Sequence, residues 1–152
     1  MLAYPFRVYQ YIFFTALFLH PSHIYTGFYY GMNHCAYMGI ALYATSLTYW
    51  INPLMNSRRR TIDMIVAKSS IAYHIYLSFY TQNKFITTLP MSIGCGLYGL
   101  SFYLYHLQFI KCVAACHCLL HALVSFGASM TYMDIYIKQH SEIKNVKIEY
   151  NT

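Results

Sequence analysis

A chain of 152 residues allows a single domain, and 58% hydrophobic against 9% charged residues lies far from the charged quarter of an ordinary soluble protein. The net charge of +6 sits mainly between and after the apolar runs, where topology determinants and headgroup partners belong, and this sets nucleic-acid binding aside. All five cysteines, Cys35, Cys95, Cys112, Cys116 and Cys118, fall within apolar runs, which excludes a secreted-type disulfide framework and makes them small buried hydrophobes.

In chain order, the first apolar segment covers residues 8–20, with Arg7 before it and Pro21 after. It is short, and reads as a tilted first span, an interfacial helix or a signal-like element, although no convincing cleavage site follows. Four longer runs come next, at 24–49, 61–81, 85–106 and 109–133, each reaching the roughly 20 residues of a spanning helix. Their only interior charges are Asp63, Lys68 and Lys111. The expected fold is therefore an all-α, polytopic transmembrane helical bundle of four to five spans. Residues 1–137 form its helical domain, and residues 138–152 form a polar C-terminal tail that reads as an exposed, frayed end.

The connection at 50–60 joins a helix-stopping Pro53 to Arg58, Arg59 and Arg60, and by the positive-inside rule it faces the cytoplasm. The turn at 82–84 then lies outside, the turn at 107–111 inside and the tail outside, although three tail lysines oppose this orientation. Inverting the arrangement leaves unchanged which loops share a side. Tyrosines near the span ends suit the headgroup zone. The run from Gly94 to Gly99 matches GxGxxG in letters only; no strand precedes it, so it reads as a helix-packing surface.

Chemistry concentrates in the last run, where His117 and His121 stand one helical turn apart. An i, i+4 pair projects from nearly one face and suits two ligands of one metal, with zinc the natural choice. The bland alternative is that each imidazole bonds a neighbouring helix or faces water; a haem between two spans is a weaker competitor. A third ligand is open among His106, His74, His34 and a cysteine, with His106 at the end of the preceding run. Asp63 follows the arginines, where a helix-start carboxylate paired with Arg59 or Arg60 is the plain reading. Ser46 could return its hydroxyl to its own helix. Lys68, deeper than Asp63, would snorkel, contact a carbonyl or face a cavity.

Alternating topology puts Ser46, Asp63 and the histidine pair on one side of the membrane. At about 1.5 Å of rise per residue, Ser46 lies roughly 6 Å from Trp50, Asp63 roughly 4 Å from Arg60 and His117 roughly 9 Å from Lys111. These depths allow one site.

These residues resemble the superfamily of seven-span membrane hydrolases that includes alkaline ceramidases and adiponectin receptors, known as CREST. The resemblance lies in Ser46, in Asp63 opening the next span, and in His117-Cys-Leu-Leu-His121 followed six residues later by Gly127. It implies zinc held by three histidines, Asp63 helping to activate water with Ser46 beside it, and cleavage of lipid amides or related bonds. Two departures stand against it. Trp50 occupies the position of the family's first zinc histidine, and the chain has room for about five spans. These departures favour an integral multi-pass membrane protein without a catalytic site: a small structural or interaction subunit, or a degenerate hydrolase relative, surrounded by lipid and joined to membrane-protein partners or to copies of itself. The alternative is a zinc-dependent membrane hydrolase, with His117, His121 and a third residue such as His106 on the metal. A channel or transporter has only Asp63, Lys68 and the histidines behind it, with no inverted repeat.

Overall fold

The structure, a computed structural model, describes residues 5–149; the last three residues of the polar tail lie outside the described residues. Five helices carry nearly all of it: α1 (Phe6–Tyr29), α2 (Asn33–Trp50), α3 (Arg58–Ser78), α4 (Lys84–His106) and α5 (Ile110–Glu149).

The N-terminal half divides differently from the hydrophobic profile. Residues 8–20 do not end at Pro21: α1 continues through it, with the ring on the exposed face. Proline withholds one backbone donor but not the helical φ, so a helix packed along its other face tolerates it. The run at 24–49 instead breaks at Gly31, whose φ of +72° is the left-handed conformation that ends a helix and that glycine adopts without strain. The marginal first segment and the start of the next run are thus one 24-residue helix.

Helix α3 starts cleanly because the Ser57 hydroxyl accepts the Arg60 backbone N–H at 3.2 Å. Asn83 caps α4 in the same way, through the N–H of Ile86. The tail is helical where it was expected to fray. From Ile137 onward no glycine or proline interrupts good helix formers, and Lys138 Nζ donates to the Tyr80 carbonyl at 3.2 Å.

Helix α5 is the axis of the bundle. Helix α4 packs along one of its sides and α1 along another, α2 lies on α1, and α3 leans chiefly on α2. Gly127 sets the α4 approach: a Cβ there would meet Met91 Cγ at 3.1 Å. Gly39 does the same for α1 against α2, since a Cβ would come within 2.8 Å of Ile24 Cγ1. Gly27 and Gly94 likewise face this chain's own helices, whereas the outer positions Gly96 and Gly99 face open space.

Helices α1 and α5 meet along a polar seam in parallel register. Thr15 Oγ1 donates to Cys118 Sγ at 3.2 Å, His23 Nδ1 shares a hydrogen with Ser125 Oγ at 3.3 Å, and the Thr26 and Ser129 hydroxyls lie 3.0 Å apart. Of the five helices, α4 and α5 are long and apolar enough to cross a membrane. Large apolar side chains such as Phe14, Phe18, Phe85 and Phe126 stand exposed on the outside of the bundle.

Candidate functional site

Ser46 occupies the last turn but one of α2, and Asp63 the second turn of α3. The turn between these helices folds them back together, so that two residues seventeen positions apart bury one polar contact: Ser46 Oγ donates to Asp63 Oδ1 at 2.6 Å. Both are buried, at 2% and 8% exposure. The plain readings of both residues therefore give way to a shared one. Ser46 does not return its hydroxyl to its own helix, and the arginines are engaged elsewhere. Arg60 Nη1 donates to the Met55 carbonyl at 2.8 Å, and Arg59 Nη1 reaches the Thr48 carbonyl at 3.5 Å.

The i, i+4 spacing in α5 brings the rings of His117 and His121 to 5.0 Å between centroids, edge to face. A third imidazole completes the group from α1: His20 lies 4.8 Å from His121, ring to ring, and is 2% exposed. Both ring nitrogens of His20, and Nε2 of His121, are buried without a hydrogen-bond partner among the described residues. A neutral imidazole with an unanswered nitrogen is costly in a protein interior, and two such rings stand side by side here. Neutral imidazoles are also the donor set that zinc prefers. Among the described residues no group of three or more His, Cys, Asp or Glu side chains is placed to hold a metal ion.

The three histidines, Ser46 and Asp63 all line one cavity of about 350 Å³. Its walls are mostly apolar and come from all five helices, with Arg60 and Lys68 the cations on them among the described residues. Trp50 is 3% exposed, lies against His117 at 5.1 Å between ring centroids and borders the same cavity.

The candidates for a third ligand fare differently. His106 ends α4, is exposed and does not line the cavity. Its place along the chain is on the correct side, but its helix face is not. His74 belongs to a second buried cluster, where Nδ1 meets the Ser70 carbonyl at 2.7 Å and Nε2 the Tyr132 hydroxyl. His34 meets Tyr73 edge to face, and Cys118 is engaged by Thr15. Cys95 reaches the cavity wall from α4.

Sequence reasoning missed His20 because it stood at the edge of a short run, where it marked a boundary. The usable signal was its spacing with His23, three residues on within the same helix. No family model, curated protein or solved structure matches this chain.

Proposed function

We propose that the chain is a multi-pass membrane protein whose helices enclose a zinc-dependent hydrolase site for lipid amides or related bonds. The observation that carries this reading is the single cavity lined by Ser46, Asp63 and three clustered histidines, two of them with unanswered nitrogens. The membrane reading draws on α4 and α5 and on the apolar side chains that cover the outside of the bundle, which bilayer would bury and water would not. With α1 to α3 crossing beside them, the chain makes five spans.

His20, His117 and His121 would hold the metal, with His20 in place of the histidine that Trp50 displaces. Zinc, when bound, supplies Lewis acidity toward a carbonyl and toward water. Asp63 takes the proton of the attacking water and returns it to the leaving nitrogen. Ser46, donating to Oδ1, fixes the carboxylate so that its other oxygen is presented to the water. The apolar walls exclude bulk solvent and strengthen each of these contacts.

Metal analysis of the purified protein tests the reading. One zinc per chain is expected in the wild type and none in the paired variant His20→Ala with His121→Ala; a wild type without stoichiometric zinc removes the hydrolase. A second reading, a non-catalytic subunit, draws on Trp50 against His117 and on the open outer positions Gly96 and Gly99, where a partner helix or a second copy can approach closely. Native mass measurement in mild detergent separates the two, since a subunit co-purifies as an oligomer or complex and a stable lone monomer counts against it.

A further inference from the structure

The lining of the cavity shows where it opens. Lys68 and Ala72 on α3 and Cys95 and Phe102 on α4 are its exposed residues, and the rest of the lining is buried or half-buried. The mouth is therefore a slot between α3 and α4. Lys68 and Cys95 stand at the midpoints of their helices, far from either end of the bundle. Helix α4 is long and apolar enough to cross a membrane, and Ile93, Leu100 and Phe102 are exposed along it. In the membrane arrangement proposed above, a slot at this height opens to acyl chains and not to water.

The inner wall carries polar groups that nothing answers. His20 on α1 and His121 on α5 are 2% and 9% exposed, and both ring nitrogens of His20 and Nε2 of His121 have no hydrogen-bond partner among the described residues. A neutral imidazole offers one N–H donor and one acceptor nitrogen, so His20 alone calls for a group that both accepts and donates. An ester oxygen answers only the N–H, and an ammonium only the bare nitrogen. A hydroxyl answers both.

We infer that this cavity binds a single-chain lipid with an uncharged, hydroxyl-bearing head, a monoacylglycerol in class, which enters sideways from the bilayer between α3 and α4. The head lies against His20 and His121, and the chain trails back through the slot past Ala72 and Phe102. A charged head would shed its hydration in an apolar passage, whereas a hydroxyl loses little that the imidazoles do not return. At about 350 Å³ the cavity lies near the lower end of the roughly 300–1,000 Å³ of small-molecule sites, which suits one chain and not two. This binding does not rest on the hydrolase reading, since it asks only for the slot and for nitrogens that carry no metal.

Trp50, the single tryptophan of the chain, borders the cavity beside His117, so bromine carried in on a ligand quenches its fluorescence. Three probes share a brominated stearoyl chain and differ in the head: the monoacylglycerol, the methyl ester and the free acid. Each is titrated into the full chain in maltoside detergent, as wild type, His20→Phe and Ala72→Phe, with zinc content determined on the same preparations. In wild type the monoacylglycerol is expected to quench at about tenfold lower concentration than either other probe, the equivalent of one or two hydrogen bonds. His20→Phe should lose that preference and keep the quenching by the methyl ester. Ala72→Phe, at an exposed position, should weaken all three probes by narrowing the slot. Equal quenching by the three probes, as water on the imidazoles would produce, quenching by none, or an acid tighter than the monoacylglycerol overturns the proposal without any variant. A preference that survives His20→Phe, or quenching unchanged in Ala72→Phe, overturns it as well. The preference in protein that holds no zinc supports this site and removes the hydrolase, and zinc without the preference does the reverse.

Discussion

The hydrogen bond from Ser46 to Asp63 divides two roles that single substitutions separate. Under the hydrolase reading proposed above, Asp63→Asn keeps a partner for the serine but removes the proton acceptor, so hydrolysis of an N-acyl amide in reconstituted membranes is expected to fall about a hundredfold or more with zinc content unchanged. Ser46→Ala only loosens the carboxylate, and the expected loss is about tenfold, the equivalent of one hydrogen bond to a charged group. Equal losses in the two variants would contradict this division. Outside the site, Tyr132→Phe strips the partner from His74 Nε2 and is expected to cost about 1–3 kcal/mol, read as a lower unfolding midpoint in detergent. Ser46 and Asp63 were legible in the sequence because each stands near the end of consecutive apolar runs, and such ends must meet. His106 misled because position along a span gives depth but not direction, and its face of α4 points outward.

At the scale of helices, local backbone chemistry overrode hydropathy. A profile cannot see that Gly31 turns the chain, because the residues on both sides are apolar and aromatic. Gly31→Ala places a side chain in a left-handed backbone with open space around it, and a loss of about 1–2 kcal/mol without a change in helix content is expected. Gly39→Val meets a different obstacle, the Ile24 side chain and the His23 ring, and should separate α1 from α2. Because α1 also carries His20, that variant should lose zinc together with stability, whereas Gly31→Ala should keep the metal. The polar seam between α1 and α5 was not legible as a seam. Thr15, His23 and Thr26 look like scattered polar residues until the parallel pairing sets them beside Cys118, Ser125 and Ser129.

For the whole molecule, five helices joined by short turns put the connections at 51–57 and 107–109 at one end and that at 79–83 at the other. In a bilayer, cysteines introduced at Asn56 and Gln108 of a cysteine-free variant should be labelled from one side by an impermeant reagent, and one at Gln82 from the opposite side. Labelling of Asn56 and Gln108 from opposite sides would break the five-span arrangement. Helix α5 is 40 residues, about 60 Å, and exceeds the hydrocarbon thickness of about 30 Å. In the five-span arrangement proposed above, its polar second half would stand outside the bilayer on the Gln82 side. The helical class was readable from composition, since little else buries so many apolar residues with so few charges. The meeting of α1 with α5 was not, because it depends on the register between distant helices. That meeting is what brings His20 to the pair on α5. Zinc K-edge X-ray absorption on zinc-loaded protein addresses it most directly: three imidazole nitrogens at about 2.0 Å are expected in the wild type, falling to two in His20→Ala. A spectrum unchanged by that substitution, or protein that takes up no zinc, would contradict the site.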